Sequence, residues 1–144
     1  ESLATGHVIS TLLRPHFLHT PKDTPFVLPA DCELPATVQV VVLVCTRGIF
    51  ERMDVLCSVQ IMGNEHMKVL PVVVDSTFQY PTTESLLSAG VVQQVCKNDS
   101  EATDDLVLLV VTIFKEIAVQ LNAWASKKGL VEVCQTIHQR LTSN

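Results

Sequence analysis

The chain has 144 residues, of which 47% are hydrophobic and 17% charged, so it suits one folded domain and is too apolar for a disordered one. Its net charge is −5 and its lysines and arginines are scattered, which leaves nucleic-acid binding without support. The five cysteines form no CxxC pair, so we expect reduced core residues in a cytoplasmic protein rather than a disulfide framework. They are Cys32, Cys45, Cys57, Cys96 and Cys134.

The N-terminal part, residues 1–36, is predicted to hold one helix followed by a loop. Apolar residues of Ser2–Leu13 have helical spacing, and Pro15 would stop the helix. Five prolines interrupt the segment from Pro15 to Pro35, which is therefore predicted to be mostly loop. Phe26–Leu28 is predicted as a short strand between two of these prolines. Because the chain begins at Glu1, we expect it to be a piece of a longer protein.

A strand, a helix and a second strand are predicted between Val38 and Asp75. Val38–Cys45 is a short run of mostly β-branched residues, typical of a strand covered on both faces. Residues Ile49–Met62 follow a helical period, and Gly63-Asn64 is predicted to end that helix in a left-handed conformation. A second β-branched run, Val69–Val74, completes a right-handed parallel crossover and places the chain in the α/β class. The predicted inward stripe of the helix is Ile49, Phe50, Met53, Leu56, Cys57, Gln60 and Ile61.

Two shorter elements are predicted next. Thr82 or Thr83 would cap a short helix that Gly90 ends, because glycine tolerates the left-handed conformation. Val91–Cys96 is predicted as a weak strand at an edge of the sheet.

A long helix is predicted to start at Thr103, which precedes two aspartates. Composition alone would also allow a buried strand over Leu106–Phe114, but a helical period that continues to Trp124 favours the helix. Lys115-Glu116 interrupts the apolar run too early for a membrane span. After Gly129 a last helix, Leu130–Leu141, completes one predicted domain with its core at 37–126 and a C-terminal helix within 127–144.

Gln60 is the first candidate for function. A glutamine at the edge of an apolar stripe is more often bonded to backbone than to a ligand. Alternatively, it would lie beside the cleft outside the carboxyl ends of the strands, where open α/β sheets bind ligands. Its amide could orient a ligand but could not act as an acid or base.

The other residues that could take part in catalysis or metal binding have commoner structural explanations. Cys45 and Cys57 lie in apolar surroundings without a neighbouring histidine, which favours core thiols over nucleophiles. His16 and His19 lie among prolines rather than on a helix, so no metal site is predicted. Asp75 follows a strand, where capping a turn is commoner than catalysis.

The central unit resembles a TIR domain, the Toll/interleukin-receptor type of signalling module. In that family an apolar strand precedes a helix with the motif W-C-x-x-E-L and then a strand similar to V-I-P-V. Here L-C-S-V-Q-I (Leu56–Ile61) places Leu56 at the tryptophan, Cys57 at the cysteine and Gln60 at the glutamate. K-V-L-P-V-V-V (Lys68–Val74) corresponds to the strand, and V-V-V-L-V-C-T-R-G-I-F-E-R to the strand and turn before the helix. The family's first strand, with its F-x-S-H or F-x-S-Y signature, is not recognisable.

The resemblance implies a flavodoxin-like open parallel sheet with helices on both faces, a divergent N-terminal part and an extra C-terminal helix. It implies signalling through assembly with other TIR-like domains or with itself, for which the proline-rich segment Thr20–Pro35 is the predicted surface. The glutamate serves NAD cleavage in enzymatic members, so Gln60 implies a pseudoenzyme, with NAD as the one cofactor that the family suggests. The ligand-cleft candidates are Thr46, Arg47, Cys57, Gln60 and Asp75.

Two alternatives stay open. The chain could be an NAD-cleaving or nucleotide-binding enzyme that uses a displaced acid, namely Glu51, Asp54 or Asp75. It could also be an unrelated flavodoxin-like or receiver-like domain, although a receiver needs clustered acids at strand ends and only Asp75 qualifies.

Overall fold

A computed structural model describes residues 2–17, 25, 27, 28, 34, 35, 37–115, 118–122 and 125–142. The described residues form a mixed α/β structure, a three-stranded parallel sheet with helices on both faces, which is compatible with a flavodoxin-like fold and confirms the predicted class. Its elements are α1 (Ser2–Leu13), a 3₁₀ turn (Arg14–Phe17), β1 (Val40–Cys45), a second 3₁₀ turn (Ile49–Glu51), α2 (Met53–Asn64), β2 (Lys68–Val73), α3 (Thr83–Ser88), α4 (Val91–Val95), α5 (Ser100–Ile113), β3 (Val119–Gln120) and α6 (Lys127–Thr142).

The strands lie in the order β1-β2-β3, and both pairs are parallel. Val40 lies beside Lys68 and Leu43 beside Pro71, while Val72 lies beside Val119. The predicted parallel arrangement of the first two strands is therefore confirmed. Pro71 is buried in the middle strand, an unusual place for a residue without an N–H group.

Side chains alternate along each strand, so the sheet contributes to two cores. Leu43, Cys45 and Val73 belong to the first core, which α2, α3, α4 and α5 cover. Leu70, Val72 and Val119 belong to the second core, which α1 and α6 cover. This double burial explains why the strands are apolar without a break rather than alternating with polar residues.

Helix α2 differs from the prediction in both its start and its inward face. It begins at Met53 because Arg52 has an extended backbone (φ −100°, ψ 122°) that separates it from the 3₁₀ turn. Its buried residues are Val55, Leu56, Val59 and Met62. Of the predicted stripe, Met53 and Ile61 are instead 48% and 47% exposed, Cys57 is exposed and Gln60 is half-buried.

The end of α2 also lies slightly later than predicted. Gly63 and Asn64 are still helical, and the residue with a left-handed backbone is His66 (φ 54°). The Asn64 carbonyl lies 3.0 Å from Nδ1 of the His66 ring.

The short helix α3 was predicted correctly. The segment after it was predicted to be a strand but forms a helix. The Thr82 hydroxyl accepts a hydrogen bond from the Ser85 N–H at 3.1 Å, and Gly90 is left-handed (φ 70°). Residues Val91–Val95 form α4, and Val92 is fully buried in the first core. The apolar residues of V-V-Q-Q-V are one, three and four positions apart, which suits one helical turn as well as a weak strand.

The long helix α5 begins earlier and ends earlier than predicted. Its cap is Asp99, whose carboxylate accepts a hydrogen bond from the Ala102 N–H at 3.0 Å, whereas Thr103 is buried inside the helix. The helix ends at Ile113, and Val119–Gln120 forms β3 rather than a continuing helix, so the helical period predicted to Trp124 was wrong. Trp124 itself lies outside the described residues.

The two terminal helices agree well with their predictions. Helix α1 has the predicted bounds, and α6 contains the predicted Leu130–Leu141, although Gly129 lies inside α6 instead of separating it from the preceding chain. Val27 and Leu28 are not in a strand, and Phe26 lies outside the described residues. Among the helices of the described ranges, none has the length and hydrophobicity needed to cross a membrane.

Candidate functional site at the carboxyl ends of the strands

The loops that follow β1 and β2 meet at one edge of the sheet. Thr46 and Arg47 follow the last residue of β1, and Asp75 lies two residues after β2. The Arg47 N–H donates a hydrogen bond to Asp75 Oδ2 at 3.1 Å. The structure therefore brings Thr46, Arg47 and Asp75 together, as parallel strands require.

Asp75 uses its carboxylate to fix this pair of loops. Its Oδ1 accepts hydrogen bonds from the Thr77 N–H at 2.8 Å and from the Thr77 hydroxyl at 2.7 Å. The Thr77 hydroxyl, the Thr77 N–H and the Arg47 N–H, in that order, hold the pKa of Asp75 below its usual value. A carboxylate that already accepts three hydrogen bonds is a poor general base. The bonds from Asp75 to Thr77 form an Asx turn, and the bond from the Arg47 N–H links this turn to the loop after β1.

Replacement of Asp75 by alanine is expected to make unfolding less sensitive to acid. A carboxyl group whose pKa is lowered on folding stabilises the protein above its unfolded pKa, about 3.9, and loses that contribution as pH falls through the folded pKa. Asp75→Ala should therefore lower the urea midpoint at pH 7 and lower it less at pH 3, with Asp104→Ala, an exposed acid in α5, as the control. Equal losses for Asp75→Ala at both pH values would contradict this role.

Gln60 and Cys57 lie further from the edge. Helix α2 runs back along the sheet from Met53, so at about 1.5 Å per residue Cys57 is roughly 6 Å and Gln60 roughly 10 Å further along its axis. The two side chains are three residues apart on one side of α2, and the Gln60 amide has no hydrogen-bond partner among the described residues. The five predicted cleft residues thus form two groups rather than one site.

The alternative acids have different environments. Asp54 binds Arg52 through two contacts, Nη2 to Oδ2 at 2.5 Å and Nε to Oδ1 at 3.2 Å, and the hydrogen bond from Arg52 lowers the pKa of Asp54. Glu51 is exposed and folds back toward Gly48, where a Cβ atom would lie 3.5 Å from Glu51 Oε2. Among Glu51, Asp54 and Asp75, Glu51 is the carboxylate without an ion pair or hydrogen bond among the described residues.

The cysteines of the described residues separate into three buried thiols and one exposed thiol. Burial raises the pKa of Cys45 to about 12, and its Sγ donates to the Leu43 carbonyl at 3.3 Å. Burial also raises the pKa of Cys134, and Cys96 is buried as well. Cys57 is exposed, contrary to its predicted place in the core. Cys32 lies outside the described residues.

An aromatic cluster near these loops was not predicted. The Phe114 ring lies 5.7 Å from the rings of Phe50 and Phe78 and 5.8 Å from that of Tyr80, between centroids. Phe50, Phe78 and Tyr80 all follow strand ends by a few residues, a spacing visible in the sequence. Tyr80 is 48% exposed, so the cluster presents an aromatic surface beside the Asp75 turn.

No metal centre is formed by the described residues, where no three His, Cys, Asp or Glu side chains converge. The His16 ring stacks on the His138 ring with centroids 5.1 Å apart, a geometry that serves packing between the first 3₁₀ turn and α6. His19, the other predicted histidine, lies outside the described residues.

Comparison of the chain with protein-family models, with curated proteins and with solved structures found no match.

Proposed function

We propose that the chain is an intracellular TIR-like interaction domain that assembles with a second copy of itself and does not hydrolyse NAD. The observation that carries the proposal is an apolar stripe on the solvent side of α2, formed by Met53, Cys57 and Ile61 and called here the α2 stripe. Its members are four residues apart, so they follow one side of the helix.

The α2 stripe is unusual for a surface helix. The opposite side of α2 already supplies Leu56 and Val59, both with no exposed area, to the first core. A helix that is apolar on two sides buries one of them against the sheet and leaves the other for a partner. Met53 and Ile61, at 48% and 47% exposure, are the two ends of that second side.

The Thr20–Pro35 segment, the surface predicted from the resemblance, lies mostly outside the described residues. Of its described residues, Pro25 accepts a hydrogen bond from the Ser10 hydroxyl at 3.0 Å through its carbonyl. Val27 has a methyl group 3.4 Å from where a Cβ atom of Gly6 would lie, so this part of the segment packs on α1.

The side-chain chemistry supports the loss of NAD hydrolysis. Gln60, which occupies the position of the family's glutamate in the resemblance, cannot donate or accept a proton in the pH range of catalysis. Asp75 and Asp54, two of the three acids that could replace it, are bonded to other groups of the chain. Glu51 is the remaining acid through which the alternative, an NAD-cleaving enzyme, would have to act.

Self-association is tested by sedimentation of the purified chain over a concentration series. Ile61→Glu should weaken association at least tenfold, because it places a charge inside an apolar contact. Leu87→Glu is the matched control, since Leu87 is a 37% exposed leucine on α3 and lies outside the α2 stripe. In a Cys32→Ser background a short bismaleimide should join two copies through Cys57. A chain that stays monomeric at millimolar concentration would overturn self-association.

Hydrolysis is tested separately, by NAD turnover of the native chain, Gln60→Glu and Glu51→Gln. We expect no turnover by the native chain. Activity gained only in Gln60→Glu would support a pseudoenzyme related to the NAD-cleaving members. Turnover by the native chain that Glu51→Gln abolishes would instead establish the enzyme alternative.

A further inference from the structure

His138 in α6 has a buried ring nitrogen that lacks a hydrogen-bond partner. Its Nδ1 atom is shielded from solvent, and no donor or acceptor among the described residues pairs with it. The great majority of buried side-chain polar atoms in proteins are paired. This nitrogen is therefore an exception, and the groups around it decide what the ring can do.

Two rings from the N-terminal part of the chain cover the His138 ring. The His16 ring stacks on it, with centroids 5.1 Å apart and planes inclined by 26°. The Phe17 ring meets it edge to face at 5.0 Å. His16 and Phe17 belong to the 3₁₀ turn that follows α1, and α1 itself packs on α6. The stack therefore joins the two helices that cover the second core.

The charged groups around the stack offer a protonated ring no counter-charge. The elements that pack on α6 are α1, the first 3₁₀ turn, β2 and β3, and every titratable side chain on their described residues is basic. These side chains are His7, Arg14, His16 and Lys68. Helix α6 adds Arg140 close to His138, and its carboxylate, Glu132, lies well before His138 and 3.9 Å from Lys128 Nζ.

We propose that protonation of His16 and His138 loosens α1 and the first 3₁₀ turn from α6, so that this contact is sensitive to mild acid. An imidazolium carries an N–H on both ring nitrogens, so a protonated His138 would bury a charged donor without an acceptor. Protonation of both rings would also place two like charges in contact. Histidine changes its charge between pH 5 and 8, which is where the contact should weaken. The device is independent of the α2 stripe and of the proposed function.

The test is urea unfolding of the wild type and of His138→Phe at pH 7.5 and at pH 5.0. Phenylalanine keeps an aromatic ring in contact with His16 and Phe17 but cannot take up a proton. Stability falls with pH wherever the unfolded chain binds more protons than the folded one. Between the two pH values, the unfolding equilibrium constant of the wild type should rise at least threefold more than that of the variant. One histidine with an ordinary pKa of about 6.5 in the unfolded chain could contribute at most about thirtyfold.

Two further variants define the source of the acid sensitivity. His7→Phe is the matched control, because His7 is an exposed histidine of α1 outside the stack, and it should keep the pH dependence of the wild type. His16→Gln removes the second charge from the stack and should reduce the pH dependence. It also tests the proposal from the other ring should His138→Phe fail to fold.

Amide hydrogen exchange shows where the chain loosens. In the wild type, the protection factors of the α1 amides should fall from pH 7.5 to pH 5.0, whereas those of the α2 amides, on the other face of the sheet, should hold. A loss shared equally by α1 and α2 would overturn the proposal, because acid would then act on the whole fold. The same pH dependence of unfolding in the wild type, His138→Phe and His16→Gln would overturn it as well.

Discussion

Leu56→Ala is expected to lower the free energy of unfolding by about 2–5 kcal/mol, whereas Ile61→Ala should change it by less than about 0.5 kcal/mol. Both residues are aliphatic and lie on α2, but Leu56 has no exposed area in the first core and Ile61 is 47% exposed. Truncation of Leu56 leaves a cavity that close-packed neighbours fill only in part, in addition to the lost transfer energy. Urea unfolding followed by circular dichroism measures both values, with an unchanged m-value as the check on two-state behaviour.

This pair of variants also decides which side of α2 faces the sheet. The spacing of apolar residues in the sequence places both Leu56 and Ile61 on the inward stripe, and comparable losses for the two would restore that interpretation. A loss confined to Leu56 supports the face seen in the structure. The measurement should be made at low protein concentration, so that self-association through the α2 stripe does not add stability to the wild type.

Ile137→Ala is expected to destabilise the chain by a similar amount, about 2–5 kcal/mol, because Ile137 is fully buried in the second core. Helix α6 packs there against Leu70, Val72 and Val119, residues of two strands. Gln135→Ala is the control, since Gln135 is exposed on the same helix and its replacement should cost less than about 0.5 kcal/mol.

The result for Ile137 bears on the role of the C-terminal helix. If α6 were an appendage, Ile137→Ala would melt that helix without moving the main unfolding transition, and amide exchange would show the loss within 127–142 alone. We expect the whole transition to move, because without α6 one face of the sheet would expose its apolar residues to water.

The parallel crossover of β1, α2 and β2 could be predicted because two independent signals agree there. The strands are β-branched runs too short for buried helices, and the intervening segment changes to a helical period. The inward face of α2 could not be predicted, because a count of residues that begins at Ile49 assumes an unbroken helix. Arg52 is extended, so the register of the helix begins again at Met53.

The missed strand β3 and the missed helix α4 share a different cause. Both are short, five residues or fewer, and a period of 3.6 or of 2 cannot be distinguished over so few positions. Neighbouring elements decide the outcome instead. Val119 pairs with Val72, and Val92 is buried by the helices around it, contacts that no local pattern contains.

The candidate site was predictable where it depends on topology. Parallel strands place Thr46, Arg47 and Asp75 at the same edge, and a hydrogen bond joins the Arg47 N–H to the Asp75 carboxylate there. The position of Gln60 depends on the length and phase of α2, and the close approach of α2 to α5 depends on the contact between Gly63 and Leu109. Such contacts between elements distant in the sequence have no signature in a single chain.

Pro71 lies next to the residue of β2 at which pairing with β3 begins. The Val73 carbonyl accepts from the Leu121 N–H at 2.8 Å, whereas the Val74 N–H donates to the Cys45 carbonyl at 3.1 Å, so odd-numbered residues of β2 direct their backbone polar groups toward β3. Pro71 has no N–H group, so β2 cannot donate a hydrogen bond toward β3 at this position. Pairing with β3 begins at the next residue, Val72. Pro71 leaves the pairing of β2 with β1 complete and prevents β3 from pairing further along β2. The same missing N–H group hinders the addition of a strand from another chain at that edge.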